Sequence, residues 1–269
     1  MSEYPLVDLS LARRLERAEA TANRRMVEAR ARVAPEAGAA WTQAGGALAM
    51  FDGAASPLTQ TFGLGIFEPP SAEAMETLER FFQERGAPVH HEVSPLADST
   101  LVPLMVSRGY HPLEFTSVMF RPIDRTLTFS TNPAIIVTRV ESDDGSWVRT
   151  AAKGWSDYPE LEAFMLEIGR VQSATEELHR FIAAIDGEPV AAGGLALHDR
   201  VALLAGASTV PAARRRGAQL ALLAARLRFA VDQGCDLAMI CALPGSGSQR
   251  NAERHGFRIA YTRIKWLLK

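Results

Sequence analysis

Arg214, Arg215 and Arg216 stand immediately before Gly217 and an Ala/Leu-rich run, in the stretch STVPAARRRGAQLALLAARLRFA from Ser208 to Ala230. A helix starting there has partial positive charge at its N-terminus, a place that favours Asp and Glu over arginine. The chemistry these residues suit is anion binding. Helix N–H groups without intrahelical partners, a glycine with no Cβ in the way of an approaching oxygen, and charge-assisted arginine contacts together make a phosphate cradle. The alternative for the three arginines is a solvated loop.

Other chemistries find less support. The six histidines (His90, His91, His111, His179, His198, His255) and two cysteines show no HxxxH or CxxC spacing, so no metal site is predicted. Cys235 and Cys241 fall on one expected strand, about 20 Å apart at roughly 3.3 Å per residue, too far to bridge. A net charge of -2 supplies no basic field for a nucleic acid. Of 29 basic residues only Lys153, Lys265 and Lys269 are lysines, so the abundance of arginine is a compositional bias. No apolar run approaches the ~18 residues of a membrane span and the N-terminus lacks a signal-peptide core, so no membrane partner and a cytoplasmic location are expected.

The elements that would position the cradle follow from periodicity. The 269 residues, 47% hydrophobic, suffice for one large or two ordinary domains. Ser10 to Arg32 reads as an amphipathic helix with an apolar stripe of Leu11, Leu15, Ala18, Met26 and Ala29, its Arg13, Arg14, Arg17, Arg24 and Arg25 forming a solvated face. Strands GGALAMF and LTQTFGLGIF, a helix over 71–85, strand PVHHEV, a helix over 98–108 and a strand-rich YHPLEFTSVMFRPI come next. The polar, proline-bounded segment 122–133 reads as a linker between domains at 1–121 and 134–269. Beyond it the pattern restarts with strand AIIVTRV, two helical stretches, and three strands joined by tight turns at DGEP and HDR. A helix over 215–233, strand DLAMICAL, a short helix over 246–255 and strand FRIAYTRIKWLL close the chain.

The halves echo one another at a nearly constant offset of about 148 residues. AGG at Ala44 recurs at Ala192, RFFQERG at Arg80 as RFAVDQG at Arg228, RGY ending at Tyr110 as HGF ending at Phe257, and Phe115-Thr116 as Tyr261-Thr262. Four short matches in order point to an internal duplication.

Over residues 134 to 269 the chain resembles the GNAT superfamily of acyl-CoA-dependent N-acyltransferases, chiefly through TVPAARRRGAQLALL. That stretch is similar to the family's V-x-P followed by Q/R-x-x-G-x-G/A, with Arg214, Arg215, Arg216, Gly217, Ala218 and Gln219 in the six positions. The resemblance implies an α/β (α+β) fold of tandem GNAT-like domains, each a mixed, mostly antiparallel twisted sheet flanked by helices. It also implies acetyl-CoA, or another acyl-CoA, as co-substrate. Its pyrophosphate would be held by Thr209, Val210, the six motif residues and Leu220, with Ser248 and Asn251 facing the pantetheine arm. Gln219 departs from the usual Gly or Ala, and must turn its side chain away or offer its amide as a donor.

In the implied reaction, an amine on a small molecule or a protein attacks the thioester directly in a ternary complex. Strand N–H groups within Ala207 to Val210 would polarise the carbonyl. Two family features are missing: Ala252 stands where a tyrosine proton donor is usual, and VALLAGASTV has no carboxylate to act as base. Asp157, Glu160, Glu162, His198 and Asp199 are the candidate bases, Asn251 a further catalytic candidate, and Trp155 and Tyr158 candidate acceptor contacts. A non-catalytic acyl-CoA-binding or sensing protein is the alternative. In the first half the motif positions fall on Ile66, Phe67, Glu68, Pro69, Pro70 and Ser71. Proline donates no N–H and Glu68 repels phosphate, so that half is expected to be degenerate and to bind no CoA.

Overall fold

The computed structural model describes residues 3–141 and 145–268. In chain order it contains α1 (Leu9–Val33), β1 (Ala40–Ala44), β2 (Ala47–Phe51), β3 (Gln60–Phe62), α2 (Ala72–Gln83), β4 (Val89–Val93), α3 (Leu101–Ser107) and β5 (His111–Pro122). Then follow β6 (Ile135–Val140), α4 (Ser146–Lys153), α5 (Glu162–Ala174), β7 (Leu178–Ile185), β8 (Glu188–His198) and β9 (Val201–Thr209). The chain finishes with α6 (Ala218–Asp232), β10 (Leu237–Ala242), α7 (Gly247–Arg254) and β11 (Arg258–Leu268). These elements form two compact units, Tyr4–Arg121 with Met239–Lys269, and Pro122–Ala238 with Met1–Glu3.

In the first unit Asp8 caps α1 by accepting the Leu11 N–H at 2.9 Å. The stripe of α1 buries Leu11, Leu15, Ala18 and Ala29, with Val27 taking the place expected for Met26. The helix also buries polar groups. Arg30 pairs with Asp52 at 2.9 Å, and Glu16 accepts from the Tyr261 hydroxyl at 2.9 Å. Its other arginines are not all solvated: Arg17 lies 3.8 Å over the Phe67 ring and Arg24 5.0 Å over Trp41.

The strands of this unit run in the order β1-β2-β3-β4-β11-β5, with β3 and β4 parallel and β11 antiparallel to both neighbours. Its core packs Met75, Leu78 and Phe82 of α2 with Leu101 and Met105 of α3, Val89 of β4 and Trp266 of β11. Each such burial is worth about 1.5–3 kcal/mol. The compact units do not divide at the boundary expected near residue 134. β11 pairs with β4 and β5, so Met239–Lys269 goes with the first unit, and its Trp266 is one of that unit's large core residues.

In the second unit β6, β7, β8 and β9 form an antiparallel meander. Its two-residue turns, Asp186-Gly187 and Asp199-Arg200, have positive φ at both positions, the geometry that matches strand twist. Helices cover both faces. Ala192 clusters with Trp147 and Ala151 of α4, whereas the next residue, Gly193, faces Arg226 of α6. Residues 123–134 carry no helix or strand, and the Ile123 N–H bonds to Asp236 O at 2.9 Å. Cys235 precedes β10 rather than lying on it, and neither cysteine is in a disulfide.

The order β1-β2-β3-α2-β4-α3-β5 recurs as β7-β8-β9-α6-β10-α7-β11. Gly86 and Gly234 both end their helices at positive φ, and Gly109 and Gly256 both precede their strands at positive φ. The AGG match is a coincidence, because Gly45-Gly46 turns the β1–β2 hairpin while Gly193-Gly194 lies inside β8.

Candidate functional site

The end of β9, the loop after it and the first turn of α6 form the candidate site. A single 3-10 turn over Pro211–Ala213 leads into Arg214, and Arg215 and Gly217 both have positive φ, 63° and 95°. Such a conformation turns successive N–H groups to one side. The first helix N–H with a partner is that of Ala221, bonded to Gly217 O at 3.0 Å. Those of Ala218, Gln219 and Leu220 have no acceptor among the described residues, and no side chain caps the helix. Glycine at 217 is required by its φ. A Cβ there would have room, its nearest neighbours being Asn132 Cβ at 3.6 Å and Ile135 Cδ1 at 3.7 Å.

The side chains sort into two groups. Arg215 and Arg216 are exposed. Arg214 turns back: its guanidinium pairs with Asp157 and donates to Gly154 O at 3.0 Å and Thr209 O at 3.3 Å. Asn132, from the segment before β6, donates to Arg216 O at 3.2 Å. Gln219 turns its amide away from the free N–H groups to the Thr209 hydroxyl, at 2.7 Å. The Val210 N–H is held by Val190 O at 2.9 Å.

Just before this loop β9 bulges. Ala192 pairs with Ser208 and Gly194 with Ala205, so Gly206 and Ala207 together stand opposite Gly193. Gly206 has φ 61°, and Ala205, Gly206 and Ala207 are exposed. Ser208 is buried and donates to Ala151 O at 2.8 Å, and Gly154 packs so closely that an added Cβ would fall 2.4 Å from Ser208 Cβ. Over the bulge lies Gln172 of α5, whose amide nitrogen is 3.2 Å from the place a Gly206 Cβ would take. Gln172 was not legible as a site residue, since nothing local in α5 distinguishes it from a surface glutamine.

The structure brings Asp157 to the site, but as the partner of Arg214. It does not bring His198. That residue pairs with Val201 at the hairpin end, and Gly206 lies five residues beyond Val201, about 17 Å along the strand. Asp199 occupies the adjoining turn at φ 43°, and Glu160 and Glu162 are exposed. Trp155 and Tyr158 are exposed with ring centroids 6.4 Å apart. Ser248 and Asn251 are exposed on α7, in the first unit, and Ser246 caps that helix. No group of His, Cys, Asp and Glu suited to a metal ion occurs among the described residues, and no helix among them is long and apolar enough to cross a membrane.

In the first unit the equivalent helix start is closed. Ser71 caps α2 by accepting the Ala74 N–H at 3.1 Å, and Glu73 occupies its first turn. Ile66–Pro69, Glu68 among them, borders a cavity of about 150 Å³ that Asp98 also lines, and Arg13 donates to Ile66 O at 2.9 Å. The serine cap and the carboxylates of Glu68, Glu73 and Asp98 distinguish this helix start from that of α6.

Residues 144–257 match the family described as Acetyltransferase (GNAT) family. The match runs from the start of α4 through α7, and the mixed, mostly antiparallel sheet flanked by helices is a GNAT fold. Among solved structures, a GCN5-related N-acetyltransferase from Kribbella flavida is similar at 18% identity, covering 91% of this chain and 95% of its own, with a TM-score of 0.63. A tandem GNAT protein from the clavulanic acid biosynthesis pathway matches at 12% identity over 97% of this chain and 94% of its own, with a TM-score of 0.61. A GCN5-related N-acetyltransferase from Sphaerobacter thermophilus matches at 16% identity over 78% and 71%, with a TM-score of 0.55. No curated protein matches significantly in sequence. At these identities the likeness is one of fold.

Proposed function

We propose that this chain is an acyl-CoA-dependent N-acyltransferase, with acetyl the expected acyl group and an amine on a small molecule or a protein as acceptor. The observation that carries the reading is the uncapped start of α6, with Ala218, Gln219 and Leu220 N–H groups free beside exposed Arg215 and Arg216. Those groups hold the pyrophosphate, and the arginines add charge-assisted contacts from the rim. At the bulge, backbone N–H groups of the Ala207–Val210 span are the donors this reading assigns to the thioester oxygen as it gains charge, the Val210 N–H being already bonded to Val190 O.

The neutral amine nitrogen forms a bond to the thioester carbon, the carbon–sulfur bond breaks, and the nitrogen's proton ends on the thiolate or in solvent. β9 supplies no carboxylate for that proton. Asp157 is committed to Arg214, so water in the exposed stretch beside Ala205–Ala207 is the route left to it. Buried Ala252 donates nothing to the leaving sulfur. A thiol of pKa about 8.5 departs adequately without that help, at a rate cost on the order of 100-fold or more. Gln172, a neutral amide beside the bulge, orients the acceptor and cannot deprotonate it.

Thermal shift against acetyl-CoA tests binding, and release of free thiol with a panel of amines tests transfer. At 100 times Kd the ligand stabilises by about 2.7 kcal/mol. The missing tyrosine and strand carboxylate favour a second reading, an acyl-CoA sensor, which predicts stabilisation with no thiol release.

A further inference from the structure

Arg226 of α6 is buried without a carboxylate partner among the described residues. Its Nε donates to Leu222 O at 3.2 Å and its Nη1 to Gly194 O at 3.0 Å. The guanidinium rests on Gly193: an added Cβ there would fall 3.0 Å from Nη1 and 3.1 Å from Cζ. Gly193 is the residue directly opposite the Gly206–Ala207 bulge. Burial lowers the arginine's pKa to about 10, which leaves it charged at neutral pH.

Both choices are locally unfavourable. A buried, unpaired cation pays a desolvation penalty that an apolar side chain of the same length avoids. Glycines inside a strand forgo packing and cost chain entropy, yet with a side chain at 193 the guanidinium would have to give by a few tenths of an ångström. Paired violations of this kind mark sites where something other than stability is served. What lies across one strand spacing, roughly 4.8 Å, is the bulge.

We propose that Arg226 is a positioning residue for acyl transfer: its guanidinium fixes β8 opposite the bulge, and its charge raises the potential at the N–H groups that meet the thioester oxygen. The inference rests on the acyl-CoA reading of the site. A cation on the order of 10 Å from a developing oxyanion, at an effective dielectric constant near 20, is worth roughly tenfold in rate.

The experiment compares Arg226→Met, Arg226→Lys and wild type. Each is assayed for acetyl-CoA affinity by calorimetry, for kcat with an amine substrate, and for the infrared carbonyl stretch of bound acetyl-CoA carrying a labelled carbonyl. Arg226→Met is expected to bind acetyl-CoA within threefold of wild type, with kcat about tenfold lower and the carbonyl stretch moved toward its value in free acetyl-CoA. Arg226→Lys, which keeps the charge, is expected to restore most of both. Met with unchanged kcat and stretch, or Lys as impaired as Met, overturns the inference. If the Met variant fails to fold, Arg226→Lys is compared with Arg226→Gln and the same two outcomes decide. The stretch needs no turnover, so it still tests the inference on a binder without activity. Absence of acetyl-CoA binding by wild type overturns the site reading and the inference with it, whereas binding with equal stretch in all variants overturns the inference alone.

Discussion

The side-chain amide of Gln219 donates to the hydroxyl of Thr209 at 2.7 Å, tying the first turn of α6 to the last residue of β9. The residue that departs from the family motif thus takes no space in front of the cradle. Gln219→Ala is expected to keep acetyl-CoA affinity within about threefold, since it removes one neutral hydrogen bond of about 1 kcal/mol at the edge of the site. Calorimetric titration checks this, and a hundredfold loss would place the amide on the ligand instead.

Gly217→Val acts through φ rather than through space. With φ at 95°, a β-branched residue costs at least 1–2 kcal/mol, so the unliganded melting temperature falls by several degrees. The larger effect is on ligand: the N–H fan is disturbed, and acetyl-CoA no longer raises the melting temperature. A variant stabilised as much as wild type would remove the cradle from this loop.

The pairing of Arg214 with Asp157 makes these two residues a structural couple. Both are nearly half exposed, so their coupling in a double-mutant cycle on unfolding should be about 0.2–1 kcal/mol and should shrink in high salt. Asp157→Asn should change kcat by less than about threefold. A loss of 100-fold or more would restore Asp157 as the base.

Gln172→Leu removes the amide beside the bulge at similar volume. KM for the amine is expected to rise by about fivefold to tenfold, with acetyl-CoA affinity unchanged, the signature of a lost acceptor contact worth about 1 kcal/mol.

Three carboxylates in the first unit share one guanidinium. Arg263 lies 3.5 Å from Glu16, 2.7 Å from Glu19 and 3.3 Å from Glu92, and their attraction keeps it charged despite burial. Burial outweighs the arginine at Glu16, whose pKa is pushed up to about 7. An acid raised on folding holds its proton in the native state while the unfolded chain loses it, so wild-type Glu16 costs stability progressively from about pH 4.5 to 7. Glu16→Gln should therefore gain on wild type over that window by roughly 3 kcal/mol at most, read from urea unfolding at several pH values. His91 acts in the opposite sense. Burial lowers its pKa to about 3, so its contribution is complete above about pH 6.5 and is lost as pH falls toward 3.

Much of this was legible in the chain. The helix start within TVPAARRRGAQ is legible because a basic cluster and a glycine contradict ordinary helix design, and local conflict of that kind survives without a structure. The closed first-half counterpart was legible through Pro69, Pro70 and Glu68. Three things were not. Gln172 and Arg226 gain meaning only from what they touch in three dimensions. The tie of Arg214 to Asp157 joins residues far apart in sequence, so charge alone suggested a phosphate ligand. The pairing of β11 with β4 and β5 is hidden because a strand's alternation states which face is apolar and leaves its neighbours undetermined.

That last pairing bears on how such a chain can be cut or inherited. The segment matching the acetyltransferase family stops at Phe257, one residue before β11, while the strands that receive β11 come from the opposite half of the gene. A fragment beginning at residue 134 would carry an orphan strand with unpaired N–H and C=O groups, a template for aggregation. A fragment ending at residue 133 would lack Trp266 from its core. Neither side of a cut at residue 133 keeps this strand pairing intact.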